Sequence, residues 1–86
     1  RGRRPTRARV KAGLDTSVAL RLLIGEPAAQ AGAAWRVLDT SPEPVVLSDL
    51  VVSETYFALR HHYAVPHAEA VAALRALLAD RRVRAT

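Results

Sequence analysis

Two carboxylates stand where chemistry can be done. Asp15 ends a short apolar segment, "VKAGL", and is followed at once by Thr16, Ser17 and an apolar run. Glu54 lies within "SDLVVSETYFALRHHY", residues 48–63, on the helical stripe of Leu50, Phe57 and Ala58, with His61 one turn further on. Each has an ordinary reading. Asp-Thr-Ser before a helix is capping chemistry. A glutamate in a helix with apolar residues nearly all round is expected to be buried and paired, with Arg21 and Arg60 as candidate partners. Together they support another reading. A carboxylate closing one strand and a carboxylate on the helix after the next strand converge at one sheet edge in a right-handed crossover. Two such groups make a hard-oxygen site suited to Mg²⁺ or Mn²⁺. An ion held there activates water and stabilises charge on a phosphoryl oxygen.

The elements that must position this pair are legible from local punctuation. Residues 7–14 alternate weakly and predict a short strand. Thr16 or Ser17 is the expected N-cap of a helix through residue 24, and Gly25 closes it. Pro27 suits the first turn of a second helix, carried by "AAQAGAAWRVLD" to about Asp39. After the turn "TSPEP", the β-branched run at residues 45–47 predicts a buried strand. Ser48 and Asp49 cap a third helix from Leu50 to about Tyr63, Pro66 starts a fourth ending near Asp80, and residues 82–85 open another strand. Strand, two helices, strand, two helices, strand predicts an α/β fold with a parallel sheet and helical crossovers.

Eighty-six residues allow one small domain. The net charge of +5 is uneven: Arg1, Arg3, Arg4, Arg7, Arg9 and Lys11 precede Gly13 with no acid among them. Removing those six from the thirteen basic residues leaves seven against eight acids, a net −1. Residues 1–13 therefore read as a basic, disordered lead-in, and residues 14–86 as the domain. With no cysteine, neither a disulfide framework nor a thiolate metal site can form, which fits a cytoplasmic protein. Arg21 and Arg36 break the apolar runs too early for a membrane span.

Other polar residues have plain roles. His61, His62 and His67 lack a zinc spacing, since Pro66 separates the pair from the third. Asp39, Glu43 and Asp49 read as loop or cap residues, and Asp80 as a helix end or turn. Trp35, Val37 and Leu38 are expected in the core. Val71, Leu74, Leu77 and Leu78 form the apolar side of the fourth helix. No Gly-rich phosphate loop is present.

At this point the chain resembles a family. "LDTSVALRLL" is similar to the opening of PIN-domain ribonucleases, where an Asp-Thr-Asn or Asp-Thr-Ser step ends the first strand. "VVLSDLVVSETYFALRHHYAVPHAEAVAALRALLAD" resembles their continuation, above all in VapC-type toxins of toxin–antitoxin pairs, with a glutamate in the pattern apolar-apolar-x-Glu-x-aromatic-x-x-Leu. The resemblance covers about residues 14–83. It implies a three-layer-type parallel fold and a metal-dependent endoribonuclease using Mg²⁺ or Mn²⁺, with RNA as substrate, a cognate antitoxin as partner and a homodimer as a further possibility. Asp15 and Glu54 map to its first two acidic, catalytic metal ligands, Ser17 to the small polar position supporting the first acid, and Thr16 to a structural position. Such domains are longer, and their last acids lie in a C-terminal half. The chain, which begins with Arg and contains no Met, is accordingly expected to be an N-terminal portion, truncated after the third strand, with half the acidic site and weak or no nuclease activity alone. The alternative is an inactive module binding antitoxin or intact toxin. A third reading is a basic-tailed nucleic-acid binder in which both acids are structural.

Overall fold

A computed structural model describes residues 13–86. The chain runs α1 (Thr16–Ile24), α2 (Ala28–Thr40), β1 (Val45–Leu47), α3 (Asp49–His61), α4 (His67–Ala79) and β2 (Val83–Ala85). β1 and β2 pair in parallel, Val45 opposite Val83 and Leu47 opposite Ala85. On its other side β1 bridges Gly13 through Val46, again in parallel, and the Leu14 amide donates to the Val46 carbonyl at 2.9 Å. β1 therefore lies between residues 13–14 and β2, and all three segments run the same way. This is an α/β fold with a small parallel sheet and helical crossovers. Of the strand expected over residues 7–14 only Gly13 and Leu14 are described; its remainder and the basic lead-in lie outside the described residues.

Local chemistry sets the helix ends. The cap of α1 is Asp15, one residue earlier than the Thr16 or Ser17 expected, because its extended backbone lets the carboxylate reach the Val18 amide. Gly25 ends that helix at φ 80°, where glycine alone is unstrained, and its amide donates to the Arg21 carbonyl. Ser48 caps α3 through the Val51 amide, with Asp49 in the first turn complementing the helix dipole. Pro27 and Pro66 stand immediately before α2 and α4, where a missing N–H costs nothing.

The core joins the sheet to α1, α2 and α4. Leu14, Leu22, Leu38, Val45, Leu47, Leu77 and Val83 are buried there, with Ala19 and Ala34 allowing the helices to approach closely. Each fully buried Leu contributes about 2 kcal/mol of transfer free energy. A smaller cluster of Leu59, Ala70 and Leu74 holds α4 to α3.

Three expectations need correcting. α3 is not a buried helix: only Thr55 and Leu59 are buried, while Leu50 is 66 % and Phe57 58 % exposed. α1 and α4 cover one side of it, and the side bearing Leu50 and Phe57 faces solvent among the described residues. α3 also stops at His61, short of Tyr63. Val37 is 51 % exposed, leaving Leu38 as the core residue of that segment. Trp35 packs partly buried against the core beneath the Arg82 guanidinium, 5.1 Å from the ring centroid. Arg82 also grips Asp80 through Nε (2.9 Å) and Nη2 (2.7 Å) and pairs with Asp39, tying the end of α2 to the turn before β2. Asp80, the C-cap of α4, is thereby held down at a pKa of about 2, chiefly by the guanidinium hydrogen bonds.

Candidate active site

Asp15 stands at the carboxyl edge of the sheet, the edge where ligands bind in parallel α/β folds, and Glu54 is hydrogen-bonded to the residue that follows it. Residues 13–14 deliver Asp15 there, and β1 delivers the start of α3, with Glu54 in its second turn. Asp15 Oδ1 accepts from the Val18 amide at 2.9 Å and from Ser17 Oγ at 3.0 Å. The Val18 amide, then the Ser17 hydroxyl, with a smaller effect of the Arg21 charge, hold the Asp15 carboxyl below the ordinary 3.8. Asp15 is therefore an anion across the neutral range.

Thr16, the residue after Asp15, holds Glu54. Its hydroxyl donates to Glu54 Oε1 at 2.6 Å, a length typical of an O–H bond to a carboxylate. The first residue of α1 thus fixes Glu54 one residue away from Asp15. Glu54 is solvent-exposed and makes no ion pair among the described residues, so neither Arg21 nor Arg60 is its partner. Arg60 instead donates to the Val65 carbonyl at 3.3 Å. A carboxylate on the open side of α3 stays hydrated and needs no cation to offset burial.

Both hydrogen bonds to Asp15 fall on Oδ1 and the one to Glu54 on Oε1, so each acid keeps its second oxygen free of protein donors among the described residues. Among the described residues no group of three or more His, Cys, Asp or Glu side chains is placed to hold a metal ion, so the protein would supply at most two carboxylates. Mg²⁺ and Mn²⁺ fit such a donor set, because Mg²⁺ keeps several waters and takes one or two carboxylates together with substrate phosphates. Zinc does not fit. His67 Nδ1 is engaged with the Tyr56 hydroxyl at 2.8 Å, and the His61 ring stacks on Phe57.

The contact from Thr16 to Glu54 spans 38 positions, and nothing in the sequence signals it. Residues that sequence reasoning passed over also gather here: Gln30, Glu26 and Tyr63 line a cleft with Ser17 and Arg21. Tyr63 read as the last turn of a helix, and only its place in a turn puts it beside α1.

Comparison with known proteins matches the PIN domain family over residues 13–85. Neither the curated proteins nor the solved structures give a match. PIN domains are generally nucleases, and they usually use a divalent metal. No helix among the described residues is long and apolar enough to cross a membrane. With that family's match running from the first bridged residue to the end of β2, the chain belongs to the PIN-domain family.

Proposed function

We propose that this chain is part of a metal-dependent endoribonuclease that hydrolyses RNA phosphodiester bonds, the toxin component of a toxin–antitoxin pair, and that it carries half of the acidic site. The observation that supports the reading is the Thr16–Glu54 hydrogen bond, which ties Glu54 to the residue following Asp15. Asp15 and Glu54 are the ligands of Mg²⁺ or Mn²⁺ through their free oxygens. Ser17 holds the Asp15 carboxylate in orientation, and Thr16 does the same for Glu54. A bound ion supplies a water of lowered pKa and neutralises charge on the phosphoryl oxygens. The open, hydrated setting of both acids suits a substrate phosphate arriving as a further ligand.

The test is cleavage of an end-labelled RNA hairpin in Mg²⁺, Mn²⁺ or EDTA by the native chain, Asp15→Asn and Glu54→Gln. Cleavage that needs the metal and is lost in both variants supports the reading. Cleavage in EDTA, or cleavage untouched by both substitutions, contradicts it.

A second reading is favoured by one observation, the exposed apolar side of α3 at Leu50 and Phe57. On this reading the chain is an inactive interaction module whose partner is an antitoxin or an intact toxin. Size-exclusion chromatography of the chain mixed with either partner tests it: co-elution that Phe57→Glu abolishes supports the reading, and separate elution from both contradicts it.

A further inference from the structure

The proposed function leaves the basic run at residues 1–11 without a task. Arg1, Arg3, Arg4, Arg7, Arg9 and Lys11 place six positive charges there with no acid among them. The described residues carry the other seven basic side chains against eight acids, a net −1. Those seven are dispersed, one on each of the four helices and three in or just before β2. Of the last three, Arg82 is already engaged by Asp39 and Asp80.

The carboxyl edge of the sheet is acidic instead. Asp15, Asp49 in the first turn of α3 and the exposed Glu54 stand on the segments that leave it. An RNA backbone carries a negative charge on every phosphate, so this edge repels it, and a bound divalent ion offsets the repulsion only where it touches. The basic run is tied to the same edge through the chain itself. Lys11 lies four residues before Asp15, with Gly13 and Leu14 beside β1 between them. An extended chain reaches at most about 3.6 Å per residue, which keeps Lys11 within about 14 Å of Asp15 and all six charges within about 50 Å.

Composition selects the polyanion. Between its charges the run holds Gly2, Pro5, Thr6, Ala8 and Val10, with no aromatic or long apolar side chain to enter a bilayer. Stable membrane attachment takes such an anchor or a lipid chain in addition to basic residues. A nucleic-acid backbone asks for charge alone, because each phosphate neutralised releases a counterion.

We propose that residues 1–11 are this chain's electrostatic hold on RNA, binding the phosphate backbone without reading its sequence and keeping it beside a metal site whose surroundings repel it. The proposal rests on the ribonuclease reading for its partner and deepens it, since it assigns the affinity to this segment and not to the folded residues. Asp15 and Glu54 keep their part in the chemistry, unlike in a nucleic-acid binder whose acids are structural.

The test is fluorescence anisotropy of a fluorescein-labelled oligouridylate with the whole chain in EDTA, across a series of salt concentrations. Each phosphate neutralised on a single strand adds about 0.7 to the slope of log affinity against log salt, so six contacts predict a native slope of about 4 in magnitude. The combined variant Arg1→Gln, Arg3→Gln, Arg4→Gln, Arg7→Gln leaves the residues next to the sheet unchanged and is expected to lower that slope by about 3. Lys at the same four positions is expected to keep the native slope, because charge and not guanidinium geometry carries the contact. Circular dichroism checks that both variants fold as the native chain does. A native slope in the Gln variant overturns the proposal, and so does a slope that falls equally in the Lys variant. Binding to phosphatidylserine vesicles as tight as binding to RNA overturns it in favour of a membrane surface. The two readings fail separately. RNA bound with the expected slope but never cleaved in Mg²⁺ or Mn²⁺ counts against the ribonuclease alone. Metal-dependent cleavage with a slope indifferent to the four substitutions counts against this proposal alone.

Discussion

Replacing Asp15 by Asn and by Ala separates two tasks carried by one carboxylate. Its Oδ1 accepts the Val18 amide and so closes the N-terminus of α1. Asn offers a carbonyl oxygen at the same place and caps a helix about as well as Asp, while Ala offers none. Asp15→Ala should therefore cost about 1 kcal/mol, within the 0.5–2 of a lost cap. In a domain of this size that lowers Tm by about 4–8 °C. The Ser17 hydroxyl loses its acceptor too, but it is exposed and turns to water. Asp15→Asn forfeits only the attraction between the carboxylate and the helix dipole, about 0.5 kcal/mol.

The assay is urea unfolding at neutral and acid pH, beside Mn²⁺ titrations of each variant. Because the folded pKa of Asp15 is depressed, its ionised form stabilises the chain above the ordinary value of 3.8, and that contribution fades as pH falls through the lower folded value. The stability gap between the native chain and Asp15→Asn should close on acidification. Both variants should lose Mn²⁺ binding, although only Asp15→Ala loses its cap. An Asp15→Ala chain as stable as the native one refutes the capping argument. An Asp15→Asn chain that binds Mn²⁺ as before refutes the ligand argument.

Thr55 is fully buried and its hydroxyl has no hydrogen-bond partner among the described residues, so Thr55→Val should stabilise the chain by about 1 kcal/mol in urea unfolding; a loss of stability would show that the hydroxyl is satisfied. Ala64 occupies φ 53°, and Ala64→Gly should raise stability by about 1 kcal/mol by relieving its Cβ, with no gain counting against that strain. The pKa of Asp80 is lowered from 3.8 to about 2, so the Arg82 clasp is at full strength above about pH 4 and is lost as pH falls toward 2. Asp80→Asn should accordingly flatten the acid side of the stability–pH curve in that window, and an unchanged slope would place the acid sensitivity elsewhere.

Much of the fold is legible because its punctuation is local. Gly25, Pro27, Ser48 and Pro66 each set a helix boundary through backbone chemistry a few residues long. The cap of α1 slips by one position because Asp15, Thr16 and Ser17 are all competent caps, and only the chain's path from the sheet selects Asp15. The end of α3 is hidden for the opposite reason: Ala64 carries no turn signal, yet it takes the left-handed conformation that releases Tyr63 from the helix. Apolar residues all round α3 suggested burial, but periodicity records which side chains are apolar and not what covers them. Leu50 and Phe57 are exposed for that reason, and Glu54 stays in solvent with them. Both acids could be singled out from the sequence, whereas the Thr16 hydroxyl bond to Glu54 is a product of tertiary packing between α1 and α3.

The measurement closest to the central claim is calorimetric titration of Mn²⁺ into the native chain, Asp15→Asn and Glu54→Gln, each verified as folded by circular dichroism. Asp15→Asn keeps the cap, and Glu54→Gln keeps an acceptor for the Thr16 hydroxyl, so the comparison isolates the two charges. Saturable binding in the native chain that disappears in both variants is the predicted result. Binding that survives both substitutions, or no binding by the native chain, would contradict a divalent-metal site built from Asp15 and Glu54.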